Sequence, residues 1–326
     1  MGAHPTRRGF LSSAGALTLL LAACSRTGAG PATGSGPVTV KHAFGETTVP
    51  APPSRVLSAG LTEQDDLLAL GVIPIAVTTW FGDQPFGVWP WARDRLGAAE
   101  PAVLTLQDGI QVDEIGRLKP DLIVAVNAGL DSETYRALSA IAPTIAQSGG
   151  QAFFEPWRDQ AAAVATAVFK SDQMDRIVRS VEQRFTAAGQ ANPQFRDRTA
   201  VLLDGRLAAG AATATVDGWR TEFLTAMGLR VPENLTALAS RDGTAAIPVD
   251  ELASATATAD VLIWCTENEA ERTALVADPA VAGLDNTAGR NVFTTGDLAA
   301  AIAFASPLSY PVVAGQLPAL VARALG

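Results

Sequence analysis

Short apolar runs alternate with amphipathic stretches along most of the chain. Val56–Ser58 is a short apolar run, Glu63–Leu70 has helical spacing, and Ile73–Val77 is apolar again. This order predicts a strand, a helix and a second strand, with Thr62 as the helix N-cap and Gly71 at its C-terminus. Alternation of this kind is typical of parallel sheets covered by helices, so the pattern predicts an α/β fold.

The same order of features occurs twice in the chain. Each half contains an acidic helical segment that ends in Gly, then a Val-Asp-Glu sequence, then an Asp that leads into an apolar strand. The six segments are Asp65–Val72, Val112–Ile115, Pro120–Val124, Glu222–Leu229, Val249–Leu252 and Asp260–Ile263. Three matches in the same order predict two similar lobes, each with a mostly parallel sheet flanked by helices.

One long helical segment lies between the two halves. Within residues 171–190, apolar side chains recur at helical spacing, and a helix of this length spans roughly 28 Å. We interpret it as a rigid link between an N-terminal lobe, residues 38–170, and a C-terminal lobe, residues 191–326. An ordinary packing helix within one lobe is the alternative. A single helical link predicts that a cleft between the lobes closes by small movements.

The N-terminal residues have the features of an export signal. A basic pair at residues 7 and 8 precedes a short apolar run that ends in Leu21–Cys24, which resembles a lipoprotein cleavage sequence. The apolar run is too short to span a bilayer. We therefore expect residues 1–23 to be a twin-arginine signal peptide. Cys24 is then acylated, and residues 24–37 tether the protein to the outer face of the cytoplasmic membrane.

Composition removes several classes of function. The chain has 326 residues, a formal net charge of −9 and no run of basic residues, so a nucleic-acid surface is not expected. With Cys24 acylated, Cys265 has no partner for an internal disulfide, and His42 is the single histidine beyond residue 23, which excludes an imidazole-rich metal site. No Gly-x-Ser-x-Gly sequence is present. We expect a monomeric binding protein without enzymatic activity or an intrinsic cofactor.

Aromatic residues are concentrated where a ligand site is expected. In open α/β sheets, ligands bind beyond the carboxyl ends of the strands. Three of the six tryptophans lie within residues 78–91, directly after the predicted strand Ile73–Val77. This loop suits one wall of a site for a large, partly apolar ligand, and a loop packed over a small core is the alternative. The candidate ligand-binding residues are Trp80, Phe81, Trp89, Asn127, Trp219, Arg220, Trp264, Phe304 and Tyr310.

Arginines are the candidate partners for an anionic ligand. Arg220 follows Trp219, so a guanidinium and an aromatic ring are placed together where a carboxylate or hydroxamate oxygen can bind. Arg93, Arg95 and Arg206 are further candidates.

Several segments, distributed from residue 56 onward, carry a resemblance to a known family. They are Val56–Ser58 leading into Asp65–Gly71, the Lys-Pro-Asp-Leu-Ile sequence at residues 119–123, Ile141–Thr144, the helix near Met174, and Glu222–Gly228. They resemble the substrate-binding lipoproteins of bacterial iron-siderophore, haem and vitamin B12 ABC transporters, which have the class III periplasmic binding fold. The resemblance implies a membrane-tethered receptor that captures a ferric siderophore between its lobes and delivers it to an ABC permease.

The resemblance also implies which residues contact the permease. In that family, one acidic residue in each lobe docks on basic pockets of the permease. The corresponding positions are Asp65 and Glu222, with Asp66 as an alternative to the first. Solvated charges in a first helical turn are the simpler explanation for both.

The ligand itself remains open between three classes. A ferric siderophore fills the coordination shell of its iron, so the protein needs no metal ligand. Haem and cobalamin also suit an aromatic cleft, and for haem the candidate axial ligands are Tyr310 and Tyr135. The alternative function is that of an accessory envelope protein, which binds haem or a protein partner and does not deliver a ligand to a permease.

Overall fold

The computed structural model describes residues 36–149, 151–284 and 290–326. Residues 36–326 form one compact unit. The expected signal peptide, Cys24 and most of the expected tether lie outside the described residues. Among the helices that are described, none combines the length and the apolar character needed to cross a bilayer.

The first half of the described chain builds a fully parallel sheet. Its elements are β1 (Val38–His42), β2 (Gly45–Val49), β3 (Val56–Ser58), α1 (Glu63–Ala69), β4 (Ala76–Thr78), α2 (Pro90–Leu96), β5 (Ala102–Leu104), α3 (Val112–Leu118), β6 (Leu122–Ala125), α4 (Ser132–Ser139), β7 (Thr144–Ala146) and α5 (Trp157–Ala167). β1 and β2 form an antiparallel hairpin. The other strands form a five-stranded sheet in the order β5-β4-β3-β6-β7.

Two local expectations for this half are wrong. The strand predicted at Ile73–Val77 begins later, at Ala76, because an all-apolar run has no period that marks the ends of a strand. Thr62 precedes α1 without capping it. Its hydroxyl instead bonds the side chains of Gln160 and Asn127.

The long helix α6 (Ser171–Ala191) lies at the predicted position. Met174, near its start, packs in a core with residues of the first sheet. Val181 and Phe185, farther along, pack in a core with residues of the second sheet. One rigid helix therefore contributes to the cores of both lobes.

The second half builds a mixed sheet. Its elements are β8 (Ala200–Ala208), β9 (Ala211–Thr215), α7 (Glu222–Ala226), α8 (Glu233–Thr236), β10 (Thr244–Pro248), α9 (Leu252–Ala255), β11 (Val261–Cys265), α10 (Glu269–Ala277), α11 (Pro279–Ala282), β12 (Asn291–Thr294), α12 (Asp297–Phe304) and α13 (Tyr310–Leu325). The strand order is β10-β9-β8-β11-β12. β8, β11 and β12 are parallel, whereas β9 and β10 are antiparallel additions at one edge.

A tight turn explains the antiparallel edge of this sheet. β8 and β9 are joined by Ala209 and Gly210 alone, and both residues have positive φ, 50° and 76°. A two-residue turn of this type connects antiparallel strands, whereas a parallel pair needs a long crossover. The second lobe is therefore less similar to the first than the sequence repeat predicts.

Candidate functional site

A groove, called the cleft below, runs between the two lobes. Its central cavity, about 490 Å³, shares Asp204 and Thr213 with a cavity of about 310 Å³ on one side. It shares Trp219 and Asp242 with a cavity of about 380 Å³ on the other side. The first lobe contributes the loops after β4 and β7. The second lobe contributes β8, β9 and the segments that follow β9 and β11. The site therefore lies near strand ends, as expected for an α/β fold.

Trp80, Phe81 and Phe154 form the aromatic wall of the cleft on the first lobe. The Trp80 ring centroid lies 4.7 Å from that of Phe81 and 4.9 Å from that of Phe154. Trp80 and Phe81 line one cavity, and Phe154 lines the next. These rings offer a continuous apolar surface to a ligand.

Trp89 and Phe304 support this wall from behind. Both are only 5% exposed, and neither lines the cleft. The Phe304 ring lies 5.5 Å from Trp80 and 6.0 Å from Trp89. Gly82 makes the arrangement possible, since a Cβ atom there would lie 2.5 Å from the Trp89 ring and its φ is +83°.

Arg220 crosses the cleft from the second lobe. Its guanidinium carbon lies 4.5 Å from the Trp219 ring centroid and 4.9 Å from the Phe154 ring centroid of the first lobe. Within the described part of the chain it makes no hydrogen bond and no ion pair shorter than 4 Å. Burial lowers the pKa of its guanidinium from the ordinary value. The Arg220 guanidinium, held between two aromatic rings, can donate hydrogen bonds to an anionic oxygen.

A second set of charges lines the opposite end of the cleft. The register of β8 against β9 shifts between Leu203 and Leu207, and Asp204 and Arg206 lie at this irregularity. Arg206 pairs with Glu271 at 3.2 Å and with Glu267 at 3.9 Å. Arg206 is therefore not the free cation that the sequence suggested. Burial raises the pKa of Asp204.

The structure removes Trp264 from the site. This side chain is 0% exposed, and its Nε1 donates a hydrogen bond to Asn291 Oδ1 at 2.9 Å. Side chains alternate between the two faces of a strand, so Trp264 faces the core while its neighbour Cys265 lines the cleft. The rule of strand ends therefore selects this segment but not the residue that faces the cleft.

Tyr310 also lies outside the cleft. It is 3% exposed and packs against Trp157, Phe185 and Phe223. It lines a separate cavity of about 230 Å³ beside α6. Its ring is part of the second core because α13 begins at this residue and packs along α6.

Asn127 supports the site from a fully buried position. Its side-chain amide donates to Thr62 Oγ1 at 3.0 Å, and its Oδ1 accepts the backbone N–H of Phe154 at 2.8 Å. It therefore fixes the loop that presents Phe154 and does not itself face the cleft.

Neither candidate haem ligand is placed to bind haem. Tyr310 is buried, and the Tyr135 hydroxyl bonds Thr47 at 3.2 Å and His42 at 3.3 Å, beside the β1–β2 hairpin. The described residues contain no group of three or more His, Cys, Asp or Glu side chains that could hold a metal ion.

The permease-docking expectation is wrong for Asp65. This residue is 0% exposed, and its Oδ2 accepts hydrogen bonds from Trp91 Nε1 at 2.8 Å and from the Ser306 hydroxyl. Its alternative, Asp66, is equally buried, because α5 and α2 pack on α1. Glu222 is half exposed and pairs with Arg158. Its docking role stays a prediction.

Several cleft residues were missed from sequence. Phe153 and Phe154 are an aromatic pair in the loop after β7, and Asp204 directly follows the buried part of β8. Phe153 and Phe154 follow a strand and satisfy the rule of strand ends, whereas Asp204 lies inside β8 and does not. Thr213, Thr215 and Thr244 gave no signal, because small polar residues on an antiparallel edge are common.

Comparison with protein families gives a direct match. The family described as periplasmic binding protein matches residues 57–298. The chain belongs to the periplasmic binding protein family. Its fold, two α/β lobes with one linking helix, is that of the class III members.

Individual relatives agree with this assignment. This periplasmic binding protein is 60% identical to a periplasmic solute binding protein of Mycobacterium smegmatis, over 89% of this chain and 99% of the other, with a TM-score of 0.84. Streptococcus pneumoniae PiaA, solved with ferrichrome, shares the fold at 24% identity, with a TM-score of 0.73 over 88% and 98% of the two chains.

A curated relative is similar over a shorter stretch. YfiY of Bacillus subtilis, named a probable siderophore-binding lipoprotein, is 32% identical over 151 residues. That match covers 45% of this chain and 43% of the relative's own length.

Proposed function

We propose that this periplasmic binding protein captures a ferric siderophore in the cleft and delivers it to an ABC permease. The observation that carries the proposal is Arg220, a guanidinium without a hydrogen-bonding partner among the described residues, held between Phe154 and Trp219 in an aromatic cleft. The name of YfiY supports the ligand class. We place the protein on the outer face of the membrane as a lipoprotein anchored through Cys24, with each copy acting as a monomer.

The chemistry of a ferric siderophore suits these groups. Its iron is enclosed by hydroxamate, catecholate or carboxylate oxygens, so the protein needs to contact only the organic shell. Trp80, Phe81, Phe154 and Trp219 offer apolar faces, and Arg220 offers N–H donors to the oxygens around the metal. The positions of Tyr310 and Tyr135 do not favour haem.

A fluorescence titration tests the ligand class. The full chain, which has six tryptophans, is titrated with ferric siderophores, their iron-free forms, haem and cobalamin. We expect saturable quenching by a ferric siderophore. The Arg220→Gln variant should bind the ferric siderophore about 10-fold more weakly, because a charge-assisted hydrogen bond is lost. The control variant Arg179→Gln, at an exposed residue, should bind it with unchanged affinity. Binding of haem or cobalamin alone, or an unchanged affinity in Arg220→Gln, contradicts the proposal.

The internal repeat suggests a different pair of docking residues. The Val-Asp-Glu sequences place Glu114 in the first turn of α3 and Glu251 directly before α9. α3 leads into β6 and α9 leads into β11, the strands that pair with β3 and β8 at equivalent places in the two sheets. Glu251 is exposed and Glu114 is partly exposed, unlike Asp65. We propose that these two carboxylates contact the permease.

Charge reversal tests this docking pair. Glu114→Lys with Glu251→Lys replaces attraction to a basic permease surface by repulsion, so siderophore-dependent iron uptake falls at least about 10-fold while affinity for the ferric siderophore stays unchanged. The matched control is Glu100→Lys with Glu233→Lys, one exposed acidic residue in each half. Normal uptake with the first pair reversed would exclude these contacts. Reversal of the Glu222 charge alone tests the docking role that the family resemblance implies for this residue.

A further inference from the structure

The cleft has two chemically different ends, and the following inference rests on the proposed function. Arg220 faces the central cavity, whereas carboxylates face the neighbouring cavity of about 310 Å³. Asp204 and Thr213 line both cavities, so one ligand can reach both ends. The acidic end is therefore part of the same site.

The charge of the acidic end is not balanced. Its lining contains three carboxylates, Asp204, Glu267 and Glu271, and one guanidinium, Arg206, for a net charge of −2. Arg206 is shared by the two glutamates at 3.9 and 3.2 Å. The Asp204 carboxylate has neither a hydrogen bond nor an ion pair within 4 Å among the described residues. A bound cation would balance the negative charge of this cavity.

The opposite wall of the same cavity also suits a cation. Trp80 and Phe81 line it with their rings in an edge-to-face contact of 4.7 Å. Aromatic faces attract ammonium groups, and tryptophan does so best. Carboxylates of the second lobe and an indole of the first lobe thus line the same cavity, a combination that suits an alkylammonium.

The surroundings add to the same preference. Asp242 lines the central cavity, and the chain as a whole carries a net charge of −9. A polyanionic iron complex would approach a negative protein and meet a negative cavity, with Arg220 as its main attraction. A neutral iron centre with a basic side arm meets no such penalty.

We propose that the cleft selects ferric siderophores that carry a positively charged arm. The arm's ammonium lies between Trp80 and the Asp204–Glu267–Glu271 carboxylates, and the oxygens around the iron face Arg220. Hydroxamate complexes with a free amine belong to this class, because three hydroxamates neutralise ferric iron and the amine adds a positive charge.

Two probes that differ only in this charge test the inference. The full chain is titrated with ferrioxamine B, a hydroxamate complex with a free ammonium, and with N-acetylated ferrioxamine B, in which that charge is removed. Ferrichrome and ferric dicitrate serve as neutral and anionic comparisons. At low ionic strength we expect ferrioxamine B to bind about 5- to 10-fold more tightly than its acetylated form, with the ratio decreasing as salt is added.

Charge-neutral variants assign the effect to the cavity. In Asp204→Asn with Glu267→Gln the ratio of the two affinities falls to about 1, because only the cationic ligand loses a partner. Asp172→Asn, an exposed residue at the start of α6, keeps the original ratio.

The possible failures are distinguishable. Equal affinity for the two ferrioxamines, an unchanged ratio in the double variant, or tighter binding of ferric dicitrate would overturn this inference and leave the proposed function intact. Absence of binding by every ferric complex would overturn both.

Discussion

Three carboxylates of α1 are buried without a cation. Glu63, Asp65 and Asp66 are all 0% exposed, and within the described part of the chain no Lys, Arg or His pairs with them. Their partners are neutral donors, such as the Asn127 backbone N–H for Glu63 and the Gln160 amide for Asp66. Burial raises the pKa of Glu63 to about 7 and that of Asp65 to about 6, and raises that of Asp66 well above its ordinary value.

These shifts predict an unusual dependence of stability on pH. An acid whose pKa rises on folding holds its proton more tightly in the folded state, so the free energy of unfolding decreases as pH rises through the interval between its unfolded and folded pKa. We expect a decrease on the order of 1 to 3 kcal/mol between about pH 5 and pH 8. Urea unfolding at a series of pH values measures it.

A single variant separates this effect from other titrations. His42, whose pKa is lowered by burial, acts in the opposite direction, and Asp131, whose pKa is lowered by the Thr134 backbone N–H, acts only in acid. Glu63→Gln keeps an oxygen for the Asn127 N–H and removes the ionisation, so the slope between about pH 5 and pH 8 flattens. The control variant Glu100→Gln, at an exposed residue, keeps the slope of the unmodified protein. The same slope in Glu63→Gln and in the unmodified protein would refute the explanation.

Among the elements, α6 shows most clearly what periodicity can predict. Its start, Ser171, and nearly its end were predicted, because the apolar side chains that pack on both lobes recur at helical spacing. Short buried strands are predicted less well. β4 was misplaced by about three residues because an all-apolar run has no period to mark its ends.

The packing of α6 on α7 predicts a sensitive glycine. A Cβ atom at Gly189 would lie 2.6 Å from the Met227 carbonyl oxygen, so Gly189→Ala must push α6 from α7. We expect a loss of about 1 to 2 kcal/mol in the free energy of unfolding, after the gain in helix propensity is subtracted.

Gly315 in α13 is the matched control. A Cβ atom there meets nothing within 4 Å, so Gly315→Ala raises the free energy of unfolding by about 0.5 to 1 kcal/mol. Thermal unfolding of both variants measures the two effects, and a stabilised Gly189→Ala would show that the contact is not tight.

At the scale of the whole molecule, the lobes are joined by more than α6. The Phe304 ring lies 5.5 Å from Trp91 of the first lobe, and the Ser306 hydroxyl bonds Asp65 of α1. An ion pair of Arg158 in α5 with Glu222 in α7 adds a further contact. Contacts of this kind at several places limit rotation of one lobe against the other.

We therefore expect little domain movement on ligand binding. Small-angle scattering of the protein with a saturating ferric siderophore should show a change of less than about 1 Å in radius of gyration, compared with the ligand-free protein and with the iron-free siderophore as control. A contraction of several ångströms would mean that these contacts break and re-form during binding.

The sequence alone determined the α/β class, the two lobes, the linking helix and the aromatic loop, because all of these follow from local periodicity and from residue types near strand ends. The tertiary structure decided which side chains face the cleft. Asp65 is buried and accepts a hydrogen bond from Ser306, 241 positions away in the chain. Asn127 is buried because its side chain holds the loop that carries Phe154. Burial of a side chain depends on partners that are distant in sequence, and no local pattern records them.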